Sequence, residues 1–65
     1  MRLTTFCIVK VTRDDRGAII DRRMVAIAND RGIIDAMVRD LKQSGNISYE
    51  RAIYEAEAWT PERAN

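Results

Sequence analysis

The hydrophobic and polar positions divide the chain into four stretches. Residues Leu3 to Thr12 are rich in Val, Ile, Phe and Thr. Branched and aromatic side chains of this kind pack well on a pleated surface, so the stretch predicts a β-strand. Its two faces are Cys7, Val9, Val11 and Phe6, Ile8, Lys10. Both are apolar near the middle, so the strand is expected to be covered on both sides or to sit at an interface. Arg13-Asp14-Asp15-Arg16-Gly17 reads as a turn. Asp side chains accept from nearby amides there, and Gly17 takes positive φ without a Cβ clash. Ala18 to Ala28 returns as a second strand with a polar middle, Asp21-Arg22-Arg23, completing a hairpin over residues 3–28.

Asn29 or Asp30 then supplies a helix N-cap. Ile33, Ile34, Met37, Val38 and Leu41 recur at helical spacing, with Asp35, Arg39, Asp40 and Lys42 on the other side. The pattern predicts a helix over 31–43, ended by Ser44-Gly45 with Gly45 as its left-handed C′ residue. The last third supports two readings. As a helix over 48–59, capped by Ser48, it carries a stripe of Tyr49, Ala52, Ile53, Ala56 and Trp59. As a third strand, each face mixes apolar and charged residues. Ala and Glu favour helices over strands, and this decides for the helix. Pro61 falls in a short tail over 60–65.

The expected fold is a single α+β domain, a hairpin followed by two helices (β-β-α-α), with β-β-α-β as the alternative. A bare hairpin is marginal in water and leaves two unpaired edges. A second copy would remedy both with a four-stranded intermolecular sheet, so a homodimer is expected.

Composition narrows the class. The chain is 46% hydrophobic and 32% charged, which fits neither a disordered tail nor a membrane segment. No run approaches the ~20 apolar residues of a spanning helix, and no secretory signal pattern is visible. A free cysteine suits a reducing compartment, so a cytoplasmic protein is expected. Eleven Lys and Arg against ten Asp and Glu give a net charge of +1. The charge is unevenly placed: residues 1–28 carry +3 and residues 46–65 carry −2.

The sequence offers little for catalysis. There is no His for proton transfer near neutral pH. One Cys and no His cannot make a zinc site of the usual four Cys or His ligands. Asp14-Asp15, Asp35 with Asp40, and Glu55 with Glu57 read as a turn and two solvated helix faces, not as acid–base pairs. Cys7, inside an apolar strand, reads as a core thiol. Gly17, Gly32 and Gly45 lie too far apart for a phosphate-cradling loop. A non-enzymatic protein without cofactor or metal is expected.

Two kinds of partner remain. The hairpin arginines Arg13, Arg16, Arg22 and Arg23 could read nucleic acid, since a two-stranded ribbon fits a major groove. Asp14, Asp15 and Asp21 among them oppose phosphate binding. The pattern Ile33-Ile34-x-x-Met37 … Leu41 … Gly45-Asn46-Ile47-Ser48 … Ala52-Ile53 … Ala56 resembles the two helices of ribbon-helix-helix DNA-binding proteins. That resemblance covers about half the chain. It implies an intertwined dimer reading DNA with a short ribbon. In this chain only Arg22 and Arg23 could take the reading role, because Met24 to Ala28 is apolar on both faces.

The other partner is a protein. Trp59, Tyr54 and Tyr49, with Glu55, Glu50 and Glu57 around them, make an aromatic patch rimmed by acid that suits a basic surface. The leading expectation is a small module acting stoichiometrically on a larger protein, in the manner of accessory or inhibitor proteins of phages and mobile elements. That comparison rests on analogy. The alternative is a dimeric ribbon-helix-helix-like regulator.

Overall fold

The computed structural model describes residues 4–55 and 58–61. The first half folds as its pattern requires. β1 (Thr5–Arg13) and β2 (Ile19–Ala28) pair antiparallel. The turn between them is organised by Asp14, whose Oδ1 accepts from the amides of Arg16 at 2.8 Å and Ala18 at 2.9 Å. Gly17 sits at φ 85°, a conformation that a Cβ would strain. β2 carries one residue more than β1 at two places. Val25 lies between the partners of Ile8 and Val9, and Ile20 between those of Thr12 and Arg13. Each extra residue makes a β-bulge, which turns the strand and resets its alternation.

α1 (Arg31–Asp40) follows directly. Asp30 caps it, its side chain accepting from the Gly32 amide at 2.7 Å. The helix ends at Asp40, with Leu41 already extended, so it stops short of the expected residue 43. Gly45 does adopt positive φ, at 56°, but not as the helix C′ residue. It turns the chain between Ser44 and Ile47, whose backbones bond each other at 3.0 and 3.1 Å.

The second helix is not present. Residues expected as a helix over 48–59 form β3 (Ile47–Glu55) and β4 (Ala58–Pro61), and the order is β-β-α-β-β. The strands lie in one antiparallel sheet, β2-β1-β3-β4. Neither β-β-α-α nor a three-stranded β-β-α-β describes it. Of the expected helical stripe, Tyr49 and Ile53 face one side of the sheet, Ala52 and Trp59 the other. Ala56, Glu57, Leu3 and residues 62–65 lie outside the described residues. Local preference for helix yields here to pairing with β1, which stays in register from Thr5↔Tyr54 to Thr12↔Ile47. The four-stranded sheet expected from two copies is built within one chain.

β1 is central, and both its faces are covered. On one, Ile8 packs under α1, and both Ile8 and Ile34 are fully buried. On the other, Cys7, Val9 and Val11 form a buried cluster with Ala52, closed by Tyr54 and Trp59. α1 is also tied to β3, since the Arg51 guanidinium donates to Asp35 Oδ1 at 2.7 Å. This hydrogen bond, helped by the charges of Arg51, Arg31 and Arg39, holds the Asp35 carboxyl below its ordinary value of 3.8. A carboxylate whose pKa is lowered by folding contributes stability above its unfolded value, and the contribution is lost as pH falls through the lower folded value. In an acid titration followed by circular dichroism, wild type should therefore lose stability below about pH 3.8, and Asp35→Asn should lose less over that range.

Candidate functional site: the helix-free face of the sheet

Strand alternation assigns each candidate residue to a face. α1 covers the face that carries Phe6, Ile8 and Lys10 of β1. The opposite, helix-free face carries Cys7, Val9 and Val11. Registration adds Arg22 opposite Val11, Met24 opposite Val9 and Ile27 opposite Cys7. From β3 come Ser48, Glu50, Ala52 and Tyr54, and from β4 Trp59, which pairs with Tyr54. The bulge at Val25 is what puts both Met24 and Ile27 on this face, although they are three residues apart.

Trp59 dominates the surface. It lies on edge strand β4, yet packs over the Val-rich cluster of the central strand. Arg22, from the other edge, places its guanidinium carbon 5.9 Å from the Trp59 ring centroid. A cation over an indole face at this distance is attracted by the ring quadrupole. The two edges of the sheet thus meet above its middle. Around this contact Met24 and Ile27 remain 41% and 50% exposed, an apolar margin open to a partner. At one end Arg13 donates to Ser48 Oγ at 2.7 Å and faces Glu50 at 3.5 Å.

The sequence-derived partner residues do not form one patch. Tyr54 and Trp59 share the helix-free face, half-buried. Tyr49 and Glu55 point to the helix side from opposite ends of β3, roughly 20 Å apart at ~3.4 Å per residue. Tyr49 lines a groove of ≈ 450 Å³ beside α1 with Lys10, Val25, Met37 and Asp40. Glu50 is engaged by Arg13 and Glu57 is outside the described residues, so an acidic rim is not assembled.

The arginines are divided too. Arg22 and Arg23 point to opposite faces, and Arg23 is held at 3.0 Å by Asp21. Arg13 is engaged by Ser48 and Glu50, and Arg16 lies in the exposed hairpin turn. What sequence reading missed is the meeting of Arg22 with Trp59, 37 positions apart in the chain. No local signal reports it, because it depends on the strand order.

Reactive chemistry is sparse among the described residues. They hold no cluster of three or more His, Cys, Asp or Glu suited to a metal ion. They include no helix long and apolar enough to cross a membrane. Cys7 is fully buried, and burial raises its thiol pKa, which disfavours the reactive thiolate. The native protein should accordingly react with a thiol-directed disulfide reagent many times more slowly than the urea-unfolded chain. Equal rates would show that Cys7 is accessible. No protein-family model, curated protein or solved structure matches the chain.

Proposed function

We propose that this chain is a non-enzymatic protein-interaction module that docks on a larger protein through the helix-free face of its sheet. The observation that carries the reading is the contact of Arg22 with Trp59, bordered by exposed Met24 and Ile27. Trp, Tyr and Arg dominate binding hot spots, and aromatic anchors ringed by apolar contacts are their usual setting. The cation at the centre and the apolar margin suit a partner that offers an apolar patch beside a carboxylate. This replaces the basic partner expected from an acidic rim.

Two variants test the surface without touching the core. Ile27→Asp places a charge on the docking face. Ile33→Asp places one on α1, where Ile33 is 52% exposed. Affinity capture from cells of the source organism should yield one partner in stoichiometric amount with wild type and Ile33→Asp, and none with Ile27→Asp. Equal recovery by all three would contradict the proposal. Trp59→Ala is unsuited to this role because the ring also closes the core. A titration of mixed-sequence DNA across a salt series decides the alternative. No salt-steep binding is expected. Steep binding abolished by Arg22→Ala with Arg23→Ala would replace this reading with a nucleic-acid one.

A further inference from the structure

The sheet has two unlike edges. β4 is four residues long and ends at Pro61, which has no amide hydrogen to offer a neighbouring strand. β2 is ten residues long, and among the described residues no strand pairs with its outer side. Its larger apolar side chains are exposed: Ile20 at 62%, Ile27 at 50%, Val25 at 48%, Ile19 at 42% and Met24 at 41%. Free backbone donors and acceptors beside exposed Ile, Val and Met form a template for another strand.

We infer that β2 pairs antiparallel with β2 of a second copy of this chain, about a two-fold axis at Arg22. The occupant follows from the charge order on the strand. Two-fold pairing in a continuous antiparallel sheet brings residues on the same face opposite each other, so the register places the axis on a residue. An axis on Arg22 sets Asp21 opposite the partner's Arg23, and Arg23 opposite the partner's Asp21. These residues already share the helix face and bond within one chain at 3.0 Å. The second copy extends that pair into a network of two Asp and two Arg. The same axis sets Ile20 opposite the partner's Met24, so apolar pairs flank the charged centre. Opposite-charge and apolar cross-strand pairs both stabilise an antiparallel ladder. An axis one residue later, on Arg23, would put the two Arg23 side chains face to face and leave both Asp21 carboxylates opposite Val25.

The like charges at the axis are the cost of this register. Each Arg22 is drawn toward its own Trp59 ring, which partners its guanidinium and turns it from the axis. The bulge at Val25 limits the paired segment to Ile20 to Met24, with the charge match at its centre. The product is an eight-stranded sheet, β4-β3-β1-β2-β2-β1-β3-β4, with both helices on one face. A closed two-fold contact of this kind uses one self-complementary surface. It shares Arg22 and Met24 with the docking face but leaves Ile27 outside the paired segment, so Ile27→Asp and the double variant Ile20→Lys with Val25→Lys test the two proposals separately.

Sedimentation equilibrium and oxidative cross-linking test it. Wild type should sediment at twice 7.5 kDa at high micromolar concentration. Ile20→Lys with Val25→Lys, both at exposed positions, should sediment as the monomer while keeping the far-ultraviolet spectrum of the fold. Arg22→Cys should form a disulfide-linked dimer on mild oxidation. Directly opposite Cα atoms lie about 4.5–5.5 Å apart, within disulfide reach, and buried Cys7 should stay reduced. A monomeric wild type at every concentration would overturn the inference. So would a dimer unaffected by the two lysines, or an Arg22→Cys chain that stays unlinked.

Discussion

Replacing Trp59 by Ala is expected to cost about 2–4 kcal/mol, somewhat below the cost for a fully buried aromatic because the ring is half-exposed. Two losses add up. The first is the apolar cover over the Cys7, Val9, Val11 and Ala52 cluster. The second is the partner of the Arg22 guanidinium. A domain of this length buries only about 60% of its unfolded surface, and its stability margin is correspondingly thin. Trp59→Ala should therefore lower the urea midpoint enough to leave much of the protein unfolded at room temperature. Trp59→Phe should recover most of the loss, because a ring still covers the cluster. Arg22→Ala should cost about 0.5–1 kcal/mol, the scale of one half-exposed cation–π contact. If Trp59→Ala unfolds at the same urea concentration as wild type, the indole does not close the core.

The second large effect concerns the other face. Ile34 is the fully buried residue of α1, whereas Ile33 is 52% exposed. Ile34→Ala should cost about 2–4 kcal/mol, because the space left by a fully buried side chain can close only in part. Ile33→Ala should cost less than about 0.5 kcal/mol, as exposed positions do. The contrast between adjacent isoleucines, read from two urea melts, measures how α1 is seated. Equal costs would mean that the helix rests on the sheet in another rotation.

Sequence patterning reached the hairpin and the helix because their signals are local. The Asp14-to-Gly17 turn, the Val and Ile run of β1 and the Asp30 cap each act within a few residues. β3 is different. Its alternate positions read as a disordered mixture because the charges among them are satisfied from far away. Arg51 is held by Asp35 of α1, 16 residues back, and Glu50 by Arg13 of β1. A strand whose charged residues have partners on other elements shows no clean two-residue period on its own. Its Ala and Glu content then favours the helix, which the pairing with β1 overrides. The α1 stripe misled in a smaller way. Ile33 and Met37 have the right spacing for burial, yet a helix on a small sheet buries only a narrow line, and both remain exposed.

The candidate surface was legible only in its parts. Trp59, Tyr54 and Arg22 stand out as residue types suited to binding. Their meeting requires β2 and β4 to be the two edges of one sheet, with Trp59 leaning inward over the central strand. Tyr49 and Glu55 were grouped with them by nearness in sequence. Alternation along a strand sends such neighbours to opposite faces, just as it separates Arg22 from Arg23.

Trp59 closes the helix-free face and meets Arg22 there. Nuclear Overhauser effects from the Trp59 indole test it most directly. Cross-peaks are expected to methyls of the Val9, Val11 and Ala52 cluster and to the Arg22 side chain, together with β1–β3 backbone cross-peaks such as Cys7 to Ala52. Indole cross-peaks confined to residues three or four positions earlier, as along a helix through 48–59, would contradict it.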